Sequence, residues 1–170
     1  MTPNRGSDSD NPAMGPQEER RKALISAYRL LKQRPRSTAE ISRHLERLEF
    51  GADTISTTLE TLGSHGELDD RAFACAWTDS RMRFRPRSKW LIQRELESKG
   101  VDAHLAQDAT ENIDDYAAAR ELAQRRARQL HELDRATFIR RLTRYLASRG
   151  YDRGITTRVV MEMLPKDSTS

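Results

Sequence analysis

Three joints in this chain can be laid over one another, and that recurrence restricts the possible folds more than any other feature. Ile41, Ile92 and Leu142 correspond, as do Leu45, Leu96 and Leu146, then Phe50, Val101 and Tyr151, then Ile55, Leu105 and Ile155, at successive offsets of 50 or 51 residues. An amphipathic chain matches a few such positions by chance. It does not also match the apolar joint residue, the aspartate behind it and the flanking helical patterns. A period near 50 reads as a tandem array in which each unit needs a neighbour to cover its apolar side.

The spacing inside each period is helical. Leu24, Tyr28 and Leu31 share a face until Pro35 stops the helix. Ser37 to Glu40 has the spacing of a capping box, and the helix behind it turns Ile41, Leu45 and Leu48 inward. Phe50 and Gly51 break that helix, Asp53 recaps, and Ile55, Leu59 and Leu62 line a third helix ending near Gly63 or Gly66. The second period repeats the plan, with helices expected over 70–81 and 88–99, an apolar stripe of Phe73, Ala76 and Trp77, a stop at Gly100, and a cap at Asp102 before Leu105 and Ala109. In the third, Asp114 or Asp115 opens a helix carrying Ala119, Ala123 and Leu130; Asp134 caps one bearing Phe138, Leu142 and Leu146, and Ile155 and Val159 mark the last, closed by Pro165. The expected fold is all-α: an elongated, curved array of three tandem three-helix repeats at 17–67, 68–113 and 114–164. Residues 1–16 and 165–170 are expected as tails, the first disordered by its Pro, Asn, Ser, Asp and Gly content.

Composition agrees with thin modules. Only 36% of residues are hydrophobic and 33% are charged, which gives poor support to one large spherical core. No apolar run approaches the roughly 20 residues that span a bilayer, and no signal peptide opens the chain, so a soluble cytoplasmic protein is expected. Cys75 is alone, which excludes an internal disulfide and a cysteine zinc site, and is read as a small core residue. The four histidines are widely spaced, and dinucleotide, Walker-type and nucleophile-elbow patterns are missing. No catalytic machinery, cofactor or metal is expected.

The charge is local. Between positions 81 and 99 the chain places Arg81, Arg83, Arg85, Arg87, Lys89, Arg94 and Lys99 against only Glu95 and Glu97, in a protein whose formal net charge is +4. With Ile92 inward, a step of about 100° per residue puts Arg87, Trp90 and Arg94 on the opposite face. Cations beside a ring can grip a nucleotide strand or a protein groove. The bland alternative packs Trp90 against an adjoining module and leaves the arginines to solvate the surface; Trp77, on the face of Phe73, reads as core. Arg125, Arg126 and Arg128, followed by Arg140, Arg141, Arg144 and Arg149, form a second basic group diluted by Glu121, Glu132 and Asp134. Base reading by a helix-turn-helix is weakly supported, because the third helix of the first module has no cation and that of the second carries Asp108 and Glu111.

Several stretches resemble the RecX family, small regulators of the RecA recombinase. They are Tyr28-Arg-Leu-Leu31, Arg36-Ser-Thr-Ala-Glu40, Gly66-Glu-Leu-Asp-Asp70 with Phe73 and Ala74, Ser80-Arg81, Glu95-Leu96 with Lys99-Gly100-Val101, and Leu146 with Arg149-Gly150-Tyr151. The resemblance runs from about Arg21 to Leu164. The chain departs from the family where Glu67 replaces a leucine, Ser88-Lys89 a Gly-Pro, Trp90 a basic residue and Glu49 a glycine. It implies a non-enzymatic, monomeric protein that lies in the groove of the RecA–DNA filament and modulates ATP hydrolysis, strand exchange and filament growth, mostly by inhibition. Under that reading Arg81, Arg83, Arg85, Arg87, Lys89, Trp90, Arg94 and Lys99 are the contact candidates, Arg140, Arg141, Arg144 and Arg149 the secondary ones, and Asp69 and Asp70 cap and position the middle module. The rival readings are a duplex-binding helix-turn-helix protein and a helical adaptor for an acidic partner.

Overall fold

The computed structural model describes residues 15–164, and every regular element among them is an α-helix. They are α1 (Pro16–Leu31), α2 (Thr38–Arg47), α3 (Ala52–Ser64), α4 (Asp70–Phe84), α5 (Lys89–Ser98), α6 (Ala103–Thr110), α7 (Asp115–Ala127), α8 (Arg135–Ser148) and α9 (Arg153–Glu162). Of the expected tails at 1–16 and 165–170, residues 1–14 and 165–170 lie outside the described residues. Pro16, assigned to the first tail, instead opens α1, where a missing N–H costs nothing and the fixed φ suits a helix.

Sequence sets most of the helix starts. Asp69, Asp114, Asp134 and Asp152 each accept from the backbone N–H three residues on, at 3.0 Å, Ser88 does so at 3.2 Å, and Asp102 accepts from His104 at 2.8 Å. Ser37 and Glu40 close their capping box reciprocally at 3.2 and 3.3 Å. The expected cap at Asp53 is not observed: Gly51 is the N-cap of α3 and Asp53 lies in its first turn, where a carboxylate favours the positive end of the helix.

The joint that defines the repeat is a Schellman turn. The N–H groups of Phe50, Val101 and Tyr151 donate back to the carbonyls of Leu45, Leu96 and Leu146, and the preceding Glu49, Gly100 and Gly150 all take positive φ. The apolar joint residue thereby covers the leucine it is bonded to. Aligning the caps Gly51, Asp102 and Asp152 corrects one correspondence: the fully turned-in residues are Ile55, Ala106 and Thr156, whereas Leu105 and Ile155 are half-buried.

Each triplet has its own core. Ala23, Ala27, Ile41, Leu45, Ile55, Leu62 and Leu68 form one; Phe73, Ala74, Ile92, Leu96, Val101 and Ala106 a second; the third gathers Phe138, Leu142, Leu146, Tyr151 and Val159 around Ala119 and Ala123. Small residues on the first helix of each triplet let its partners approach closely, so the inward face of α1 is Ala23 and Ala27, and Tyr28 is exposed. On α4 the inward face holds the small Ala74 and Thr78 together with Phe73; Trp77 is half-buried, while Ala76 and Cys75, expected inside, fall on the outer side. Leu48 also faces solvent, because it follows the last helical residue of α2.

The chain forms two compact units. One comprises the described residues to Arg36 with Ile41–Leu68, the other Ser37–Glu40 with the residues from Asp69 onward. Within the second unit one device occurs twice. Thr38 N donates to Asp70 at 2.8 Å and Ser37 Oγ donates to the Lys99 carbonyl at 2.6 Å; Lys89 N donates to Asp115 at 2.7 Å and Ser88 N to the Arg149 carbonyl at 2.9 Å. Each time the first turn of a second helix is tied to the opening aspartate and to the Schellman turn of the following triplet.

Candidate interaction surface

The basic stretch spans the last turn of α4, the linker at 85–88 and α5, all in the second unit. Its cations divide into two sets. Glu95 on α5 accepts from Trp77 Nε1 at 2.9 Å and from Arg81 Nε at 2.6 Å, and its other oxygen pairs with Arg87. The Trp77 ring is flanked by the Arg81 guanidinium at 4.0 Å and by the Lys99 ammonium at 4.2 Å, while Lys99 also pairs with Glu40 at 3.1 Å. These charges are largely inside: the Arg81 and Lys99 side chains are 23% and 19% exposed. Burial holds both Arg81 and Arg87 below the ordinary guanidinium range, and for Arg87 the neighbouring Arg81, Arg149 and Arg85 act in the same direction.

Arg87 therefore does not share an outward face with Trp90 and Arg94. It precedes the N-cap Ser88, so the helical step from Ile92 does not extend to it, and its side chain turns back to Glu95. Lys89 is also committed, donating through Nζ to the Glu111 carbonyl at 2.9 Å. The outward set is Arg83, Phe84, Arg85, Trp90 and Arg94. Phe84 and Trp90 are 72% and 61% exposed, the Arg83 guanidinium lies 5.4 Å from the Phe84 ring, and Arg94 makes an exposed pair with Glu97. Asp69 caps α4 and Asp70 holds Thr38 N, which positions the helix that delivers Arg81 and Arg83.

The two basic groups of the sequence meet. Arg149 is close enough to Arg87 to disfavour its charge, and its guanidinium lies 5.2 Å from the Tyr145 ring, on the helix that presents Arg141 and Arg144 to solvent. Arg140, on the same helix, is exposed and reaches the Thr137 hydroxyl. Sequence reading missed Phe84 and Tyr145, the first because it falls at the end of the helix, the second because a half-buried tyrosine on a helical face carries no distinguishing pattern. Among the described residues no group of His, Cys, Asp and Glu could hold a metal, and no helix is long and apolar enough to cross a membrane.

Fold and site define a class: a tandem three-helix repeat protein whose distinguishing chemistry is a cationic, partly aromatic surface. The models of the RecX first, second and third three-helix domains match residues 23–62, 69–109 and 113–160. The chain is similar to Regulatory protein RecX of Amycolatopsis mediterranei (strain U-32), 36% identical over 90% of each, and to that of Thermobifida fusca (strain YX), 33% identical over 95% of this chain and 91% of the relative. Its fold matches the crystal structure of RecX from Lactobacillus salivarius with a TM-score of 0.74 at 20% identity, covering 86% of this chain and 97% of that one. A crystal structure of regulatory protein RecX aligns at 0.73 and 16% identity over 94% and 81%. The chain belongs to the RecX family.

Proposed function

We propose that this protein regulates the RecA recombinase by binding RecA and its DNA filament, and that it inhibits ATP hydrolysis, strand exchange and filament growth as a non-enzymatic, cytoplasmic monomer. The family membership supports the regulatory reading. The observation that carries the site is the outward set of Arg83, Phe84, Arg85, Trp90 and Arg94, in which exposed rings stand among cations that internal carboxylates leave available or hold only at the surface. Rings of this kind stack on bases or fill apolar pockets, and arginines pair with phosphates or acidic side chains. Arg81, Arg87 and Lys99 act from beneath, locking Trp77 and Glu95 so that α4 and α5 present the outer set at a constant angle. The proposal includes three repeats at 17–67, 68–113 and 114–164, the first preceded by Pro16 at the head of α1.

The test is a RecA ATPase assay on single-stranded DNA with this protein substoichiometric to RecA. Wild type should slow hydrolysis, and Arg83→Glu with Arg94→Glu should need roughly tenfold more protein for the same effect, about the loss of one charge-assisted contact. Rates unchanged by wild type at every dose would refute the regulatory reading; equal potency of the variant would remove this surface from it.

A further inference from the structure

An open recess of about 430 Å³ on the second unit is lined by Arg126 of α7 and by Arg141, Arg144, Tyr145 and Ser148 of α8. The guanidinium carbons of Arg126 and Arg149 lie 5.3 and 5.2 Å from the Tyr145 ring. A guanidinium held against a ring face keeps most of its N–H donors at its edge; one Arg126 donor is taken, Nη1 donating to Gln129 Oε1 at 2.5 Å. Arg126 Nε is buried and has no hydrogen-bond partner.

Other arginines of the second unit differ. Arg120 and Arg158 share Glu162, Arg125 has Glu121 and Arg71 has Asp108. No carboxylate lines the recess, and among the described residues none pairs with Arg141, Arg144 or Arg149. Four guanidinium groups so placed repel one another, and an anion with several acceptor oxygens relieves that repulsion while satisfying donors that arrive from two helices. A tetrahedral phosphate offers more such directions than a planar carboxylate.

We propose that this recess binds a phosphate ester, supplied by a nucleic-acid backbone or by a free nucleotide. The inference deepens the proposed function, since it names the chemistry taken by the second basic surface, and for the backbone source it rests on that reading. The Arg149 carbonyl accepts from Ser88 N at 2.9 Å, so the turn that carries Arg149 adjoins the α4–α5 linker.

The full chain and an Arg141→Gln/Arg144→Gln variant, both exposed positions, are titrated into a fluorescein-labelled 15-nucleotide thymidylate across a range of salt, with AMP or a 15-residue polyglutamate as competitor. The variant should bind the oligonucleotide roughly tenfold more weakly. Its slope of log K against log salt should be shallower by about 1.4, the loss of two single-strand phosphate contacts. AMP that competes with wild type and not with the variant also supports the site and identifies a free nucleotide as a source; no competition by AMP with the slope changed assigns it to the backbone. An unchanged slope and affinity with no AMP competition overturns the inference, as does a variant defect confined to polyglutamate. A wild-type protein that slows RecA while the variant keeps the full slope overturns the recess alone. A protein without effect on RecA whose slope still changes overturns the regulatory reading alone.

Discussion

Glu49 occupies φ 61°, the left-handed region that Gly100 and Gly150 occupy at the equivalent joints. A side chain there costs about 1–2 kcal/mol, partly offset by the greater freedom glycine has when unfolded. Glu49→Gly should therefore stabilise the protein by about 0.5–1 kcal/mol in chemical denaturation, and a loss of stability would contradict the strain argument. Gly150→Ala should do the reverse. Its Cβ would stand 2.6 Å from Ser88 Oγ and 2.7 Å from Leu91 Cβ in addition to the positive φ, so a cost of about 3 kcal/mol is expected. The difference in sign between two substitutions at matching positions is the discriminating result.

Asp115 ties α7 to the first turn of α5 through Lys89 N. Burial raises its pKa above the ordinary 3.8, partly countered by that backbone N–H and the Lys89 charge. Because the folded state holds the proton more tightly than the unfolded one, this group favours folding most below pH 3.8 and loses that contribution as pH rises through the folded value. Asparagine keeps the acceptor and never ionises. The stability of Asp115→Asn relative to wild type should thus increase with pH over the interval just above 3.8 and then level off, measured by urea denaturation at matched ionic strength. A difference constant with pH would show that the carboxylate is not desolvated in the folded protein.

The described residues form three cores where a globule of this length would have one. Each closes around a leucine of the second helix and an apolar residue of the joint that follows: Leu45 with Phe50, Leu96 with Val101, Leu146 with Tyr151. Stability in such arrays is a sum of local terms and nearest-neighbour terms. Leu146→Ala should cost about 2–5 kcal/mol by leaving a cavity in the third core, and native-state hydrogen exchange should accelerate in α7, α8 and α9 while α1 and α3 keep their protection. Equal acceleration in all helices would indicate a single cooperative body. The charges are as unevenly placed as the cores, with the half-buried ion pairs of Glu95 and Glu40 in the second unit supporting helices rather than offering charge to a partner.

Helix count, caps and the repeat could be read from the chain because each is a local rule: Asp114 three residues before a backbone donor, or Gly100 ahead of Val101, states its conformation without reference to the rest of the molecule. Ile92, Leu96, Leu142 and Leu146 fall inside on period alone, and they are fully buried. What a residue with two affinities does was not legible. Arg87, Lys99 and Trp77 can each face water or pack, and the outcome depends on Glu95 and Glu40, carboxylates 8 to 59 positions away in the chain that folding brings within hydrogen-bond or ion-pair reach. Cys75 and Ala76 lie outside for the related reason that helix α4 buries the side holding Ala74 and Thr78, a choice made by close approach of neighbouring helices. Local backbone chemistry wrote the order of elements into the sequence, while the sorting of cations into internal struts and outward contacts came from long-range pairing, whose partners no spacing rule reveals.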